Sequence, residues 1–268
     1  MLKTRLLLVA GSAVVIYLLF QLPKSVVENE ASVSGPGDSV SSHIQSHAQP
    51  PEEVRIRIGQ LRAQLSGSTE KEKNAIFADS LADLYRLSNR FDSAAWFAGE
   101  SAKLSNGPES WMKAGDLYYQ AYSIEMDQEK QRTYALRAQE YYAMILEKDP
   151  HNLEVKTKAA MTYMSTATPM KGIALLREVL AEDPKHELAL FNMGMLSVQS
   201  GQFERATDWL NQLVRINPSH IQGQLLLGIA LLNDGKRAAA KEQLEKVKKM
   251  DRDPAIQATV DSYLKDLK

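Results

Sequence analysis

The five histidines are the residues that could hold a metal ion, since the chain has no cysteine to supply a thiolate ligand or nucleophile. His43 and His47 stand four residues apart, which on a helix would place both rings on one face. No carboxylate or third ligand accompanies them, and the segment around them has weak helix signals. We therefore interpret them as polar residues of a flexible segment and predict no metal site there.

The other three histidines, His151, His186 and His220, recur at a nearly constant interval. Equivalent residues of successive helical repeats lie roughly 8–10 Å apart, whereas a metal ligand must come within about 2 Å of the ion. We interpret these residues as parts of turns. The sequence has no glycine-rich phosphate loop, no H-E-x-x-H pair and no serine in a nucleophile elbow. It therefore predicts a protein that is not an enzyme, with no catalytic residues, metal, cofactor or small-molecule substrate.

The balance of charges argues against nucleic acid as a partner. The formal net charge is −1, so the chain lacks the basic excess that attracts a phosphate backbone. With 44% apolar and 24% charged residues, the composition is that of an ordinary folded protein.

An uncharged run at residues 6–23 predicts one membrane-spanning helix. At about 1.5 Å per residue its length approaches the roughly 30 Å of a bilayer core. The alternative is a cleaved signal peptide, whose apolar stretch is usually about 7 to 15 residues long. Lys3 and Arg5 precede the run, so we expect residues 1–5 to be cytoplasmic. The bulk of the chain would then lie on the non-cytoplasmic side, which is the periplasm in a bacterium.

Residues 24–50 predict a flexible linker. They are rich in serine, contain Gly35-Pro36-Gly37 and have no aromatic side chain. Such a segment cannot bury enough apolar area to offset the entropy of ordering its backbone.

Self-similarity at a fixed period dominates the sequence beyond the linker. Pro150, Pro184 and Pro218 are each 34 residues apart and mark helix-stopping turns. Gly201 and Gly235 fall between paired helices, where we expect positive φ. A small residue recurs where the two helices of a hairpin must cross closely. The residues at this crossing position are Ala82, Gly115, Ala160, Gly194 and Gly228.

The pattern resembles the tetratricopeptide repeat, a 34-residue helix-turn-helix unit. Trp111, Gly115 and Tyr118 reproduce the opening of its signature, and residues 187–220 form the best copy. The resemblance implies an all-α solenoid of about five repeats with flanking capping helices. The predicted divisions are an N-terminal helix at 51–74, repeats at 75–107, 108–152, 153–186, 187–220 and 221–253, and a capping helix at 254–268.

The second repeat departs from the pattern by an insertion between Gly115 and Ala138. The inserted sequence is polar and favours helix, so it should extend both helices of that hairpin beyond the stack. Two interpretations remain open: a tolerated insertion, or an additional contact surface.

In this family the first helices of the repeats line a concave groove that takes peptides or helices, and the resemblance implies the same here. The early groove positions are polar or acidic, among them Asp79, Asp83 and Asp116. The later ones are apolar, and their methionines indicate either core packing or an adaptable binding surface. The implied partner-binding residues, called the groove set below, are Met161, Met164, Phe191, Met195, Val198, Leu225, Ile229 and Leu232.

The sequence thus predicts a membrane-tethered scaffold that binds another protein in its groove and the lipid bilayer through its N-terminal helix. The layout is similar to bacterial anchored repeat proteins that assist cytochrome c maturation, outer-membrane assembly or translocation. The alternative is a structural subunit of a membrane complex, in which the groove serves self-association into a homo-oligomer.

Overall fold

The computed structural model describes residues 50–265 and residue 267. The predicted cytoplasmic segment 1–5, the membrane span 6–23 and most of the linker, including His43 and His47, lie outside the described residues. Of the helices that the structure describes, none is both long enough and apolar enough to cross a bilayer.

The described residues form an all-α structure in which each helix packs mainly against the helices before and after it. This is the arrangement of a solenoid built from helical hairpins. A 3-10 turn at Tyr163–Ser165 continues the sixth helix. The helices are α1 (Glu52–Gly67), α2 (Lys71–Leu87), α3 (Phe91–Ser105), α4 (Pro108–Ile124), α5 (Gln128–Lys148), α6 (Leu153–Thr162), α7 (Pro169–Glu182), α8 (Glu187–Gln199), α9 (Phe203–Ile216), α10 (Ile221–Asn233), α11 (Arg237–Met250) and α12 (Pro254–Lys265).

The turns have the chemistry that the sequence predicts. Gly201 and Gly235 adopt φ of 72° and 77°, which confirms that these positions need glycine. His186 and His220 each cap a helix, since Nδ1 accepts a hydrogen bond from the backbone N–H three residues further on, at 3.2 and 3.0 Å. His151 lies in the turn before α6. The three recurring histidines are therefore turn and capping residues.

The small residues lie at close crossings between paired helices. A Cβ built on Gly194 would lie 2.6 Å from Cγ of Leu210 on the second helix of its pair. The closest crossing is between α6 and α7, where a Cβ on Gly172 would lie 2.2 Å from the carbonyl oxygen of Ala160 and 2.3 Å from Cε of Met164. A flexible leucine can move aside, whereas a backbone carbonyl cannot, so Gly172 is the most constrained of these positions.

The second hairpin is extended through its second helix, and it supports the irregular third hairpin. Helix α5 has 21 residues, against 14 in α9, whereas α4 has 17 residues and is as long as α2. The Tyr122 hydroxyl donates to the Met161 carbonyl at 2.9 Å, and the Ser165 hydroxyl donates to Oε1 of Gln131 at 2.9 Å. These bonds hold the end of α6, which has only 10 residues. The insertion is thus a contact surface within the chain.

The extended hairpin also concentrates tyrosines in a low-polarity environment. Burial is the main cause that raises the pKa of Tyr118 and of Tyr134 to about 12, with a smaller contribution from the neighbouring Tyr141 and Asp92 respectively. Burial likewise raises the pKa of four more tyrosines on these two helices, Tyr119, Tyr122, Tyr141 and Tyr142.

A helix covers each end of the stack. Leu61 of α1 is buried in the cluster that α2 and α3 form. At the other end Val260 of α12 is buried together with Leu244 and Val247 of α11. These helices exclude water from apolar faces that no other described repeat covers.

Replacing Gly172 with alanine should destabilise the fold by about 1–3 kcal/mol or more, because the added methyl group meets backbone at the α6–α7 crossing. The matched control is Gly59→Ala in α1, where a Cβ meets nothing within 4 Å. That change should be neutral or stabilising by up to about 1 kcal/mol, since alanine is the better helix former. Urea unfolding measures both, and equal effects would contradict the close crossing.

Alkaline pH should unfold the chain through the tyrosines of α4 and α5. Above about pH 10, where tyrosine ordinarily loses its proton, the unfolded chain binds fewer protons than the folded one, so the free energy of unfolding falls as pH rises. The slope reaches about 1.4 kcal/mol per pH unit for each such tyrosine, and Tyr134→Phe should reduce it. Tyrosinate absorbance that reaches the level of all ten tyrosines near pH 10 while the circular dichroism stays helical would rule this out.

Candidate functional site

Lysines on the first helices form a ladder that joins the first three repeats. Nζ of Lys113 on α4 lies 2.7 Å from Oδ1 of Asp79 and 2.9 Å from Oδ2 of Asp83, both on α2. Nζ of Lys158 on α6 lies 3.0 Å from Oδ1 of Asp116 on α4. In this lysine ladder each cation reaches back to the repeat before it. The acidic groove positions of the early repeats are therefore neutralised from within the chain.

Asp116 is the carboxylate of the ladder that also accepts a hydrogen bond from a buried tyrosine. Besides Lys158 it accepts a hydrogen bond from the hydroxyl of Tyr142, at 2.9 Å, and Tyr142 is fully buried. Burial and then the charge of Asp116 raise the pKa of Tyr142, so the phenol keeps its proton and donates. Burial lowers the pKa of Lys158, but its bonds to Glu154 and Asp116 outweigh burial and raise it. Both donors thus stay protonated around this carboxylate.

The ladder ends between the third and fourth repeats. Lys113 and Lys158 each stand two residues before the crossing residue of their helix, and Asn192 and Leu226 occupy the same place in the fourth and fifth repeats. Asn192 is 4% exposed, and its Nδ2 has no hydrogen-bond partner among the described residues. Leu226 packs in the same cluster as Phe191. Contact between neighbouring repeats thus changes from ionic to apolar.

The structure divides the groove set among three clusters. Met161, Met164 and Met195 pack together in the core under α6, α7 and α8. Leu225 packs near Val260 of the last helix. Phe191 and Val198 lie against the cluster between these two. Ile229 and Leu232 are partly buried, yet neither is among the side chains packed against the described clusters.

Met161 is the buried member of the groove set, at 6% exposed. Its backbone carbonyl accepts a hydrogen bond from the Tyr122 hydroxyl. Met164 lies over Gly172 at the α6–α7 crossing. Met161 is buried in the core, in line with the first of the two interpretations, whereas Met164 is only partly buried against the same cluster. The remaining members are partly exposed, and the partner-binding role of the set stays a prediction. These members are Phe191, Met195, Val198, Leu225, Ile229 and Leu232.

Comparison with known proteins identifies the repeat. Residues 171–228 match the family model of the tetratricopeptide repeat. This segment covers most of α7, all of α8 and α9, and part of α10. It therefore consists of tetratricopeptide repeats, in agreement with the spacing of prolines and small residues.

Solved structures with the same fold include TTC0263 and MamA. TTC0263, a thermophilic TPR protein of Thermus thermophilus, is 14% identical with a TM-score of 0.54, and the match covers 71% of this chain and 98% of that one. MamA 41-end of Desulfovibrio magneticus RS-1 is 17% identical with a TM-score of 0.50, covering 66% and 95%. At these identities the likeness shows the fold.

The curated relatives are larger proteins. Protein O-mannosyl-transferase TMTC3 of Mus musculus is 26% identical over 227 residues, which are 76% of this chain and 24% of the relative. The protein of the same name in Homo sapiens is 25% identical over 231 residues. The chain spans about a quarter of the length of these relatives, and the activity in their name belongs to the whole proteins. The prediction that this chain is not an enzyme stays a prediction.

Replacing Asp116 with alanine should cost about 1–3 kcal/mol of stability, because the buried Tyr142 hydroxyl loses its acceptor. Asp83→Ala is the matched control. Its carboxylate is equally exposed, at 43% against 40%, and also pairs with a lysine of the next repeat. Since exposed pairs contribute little, its loss should cost about 1 kcal/mol or less. Similar losses in urea unfolding would show that Tyr142 does not depend on Asp116.

Proposed function

We propose that the chain is a membrane-tethered scaffold whose concave groove binds a peptide or helix of another protein. The observation that carries this proposal is the apolar, partly exposed row of first-helix side chains in the fourth and fifth repeats. Protein-binding tetratricopeptide solenoids use the same face. The process we favour is assembly or biogenesis of an envelope complex, such as cytochrome c maturation, outer-membrane assembly or translocation.

The lysine ladder supports the choice of the later repeats as the binding region. In the early repeats the carboxylates of Asp79, Asp83 and Asp116 are already paired with lysines of the chain. A partner would have to break these pairs to use the charges. In the later repeats the groove-set side chains on the first helices are apolar, so a partner gains from burying them at little cost.

Ile229 and Leu232 are candidates for contact with a partner, because neither is packed against the described clusters. Both lie on α10 and are partly exposed, three residues apart, so they share one helix face. Phe191 lies on α8, the first helix of the preceding repeat. Its ring stacks on the ring of His220, with ring centroids 5.3 Å apart. A row of this kind suits the apolar face of an amphipathic helix.

Support for the membrane tether comes from the sequence. Residues 6–23 form an uncharged run preceded by basic residues, which favours one span with the solenoid on the non-cytoplasmic side. A protein of this kind would hold its groove close to a membrane surface through a flexible linker.

The function is tested by photo-crosslinking in cells from a probe at Met195 or at Ile229, with Glu204 on the exposed face of α9 as control. We expect a discrete adduct from the two groove positions and none from Glu204. Ile229→Lys should abolish the adduct from Met195, because a charge cannot enter the apolar contact without a partner. Gln222→Lys adds the same charge at an exposed site of α10 and should not.

Two other outcomes of the crosslinking experiment would change the proposed function. An adduct with twice the mass of the chain would show self-association and replace the scaffold by a homo-oligomeric subunit. An adduct from Glu204 with none from the groove positions would place the binding surface on the other side of the repeats.

A further inference from the structure

A cleft lies between α7 and α9, the second helices of the third and fourth repeats. Its volume is about 380 Å³, and an adjoining cleft of about 230 Å³ shares Arg177, Trp209 and Gln212 with it. Pockets that bind small ligands or side chains have volumes of roughly 300–1,000 Å³. No residue that lines either cleft belongs to the groove set, so this is a separate surface.

The close crossing of α6 and α7 explains why a cleft is left between α7 and α9. Glycine at position 172 allows α7 to approach the backbone of α6 closely. Contact between α7 and α8 is sparser than between the successive helices α9 and α10 or α4 and α5. Because α7 packs towards the preceding helix, its opposite side is not filled by the fourth repeat.

The floor of the cleft is apolar and well supported. Leu180 and Trp209 pack against both of the core clusters that meet here, and Met193 is itself buried in one of them. Ile173 and Leu196 complete the apolar lining. A floor anchored in two clusters keeps its shape, so an apolar side chain that enters it loses little to reorganisation.

The rim supplies a positive charge without a partner. Arg177 forms no hydrogen bond or ion pair within the part of the chain that the structure describes, and it lines both clefts. Arg205 is held by the side-chain oxygen of Gln202 at 2.7 Å, and Asp208 lies close enough to Lys236 to interact with its charge. A carboxylate placed beside Arg177 would form an ion pair with its guanidinium group.

We propose that this cleft is a second protein-binding site, which takes a segment of another protein with adjacent apolar side chains followed by a carboxylate. The apolar side chains fill the space over Trp209, and the carboxylate pairs with Arg177. The site lies outside the groove set and does not depend on what the groove binds.

The site is tested by fluorine NMR of the full chain labelled with 5-fluorotryptophan at its three tryptophans. The probes are the peptides acetyl-Leu-Leu-Glu-amide and acetyl-Leu-Leu-Gln-amide, which differ only in the charge. Trp209→Phe assigns the resonance. We expect the Trp209 signal to shift and saturate, with those of Trp96 and Trp111 unchanged, and the Glu peptide to bind about two- to five-fold more tightly, as exposed ion pairs do.

Two exposed arginines give the matched variants. Arg177→Gln should abolish the preference for the Glu peptide, whereas Arg215→Gln, on α9 outside the cleft, should keep it. The proposal is overturned if Trp209 does not respond, if all three tryptophans respond alike, or if the preference survives Arg177→Gln.

Discussion

Close crossing of the two helices in each hairpin is the constraint on which the rest of this structure depends. At Gly115, Gly194 and Gly228 a large side chain of the second helix lies directly against the backbone of the first helix. A Cβ on Gly115, for example, would come 2.8 Å from the ring of Tyr142. The buried ring then brings its hydroxyl to Asp116, and Asp116 in turn accepts from the next repeat. The crossing thus fixes both the hairpin and the contact between hairpins.

The third repeat has a tighter crossing than its neighbours, and the surrounding structure adapts to it. Helix α6 has only 10 residues and ends in a 3-10 turn, so it offers α7 a short surface. Gly172 compensates by close backbone contact. The extended second hairpin compensates by two hydrogen bonds, one that Tyr122 donates to the Met161 carbonyl and one that Gln131 accepts from Ser165. The insertion and the irregular repeat are therefore two parts of one arrangement, and the cleft beyond α7 is its consequence.

The sequence predicts the repeat and its turns well because their causes are local. The closing proline, the glycine with positive φ at 201 or 235, and the small residue at the crossing each act within one hairpin. The lysine ladder could not be predicted in the same way, since Lys113 and Asp79 are 34 residues apart and pair only once two repeats stack. The burial of Met161 and the cleft at Trp209 likewise depend on how tightly neighbouring hairpins approach.

Helix α8 is the element that the groove and the cleft have in common. Met195 belongs to the groove set, while Met193 two residues earlier lines the cleft, and both pack in the same cluster. A solenoid repeat contacts only its neighbours, so an occupant on either face acts first on this helix. Asn192 precedes Met193, and its Nδ2 has no hydrogen-bond partner among the described residues. The lysine ladder does not reach this helix. Helix α8 is therefore common to both surfaces, although no residue belongs to both.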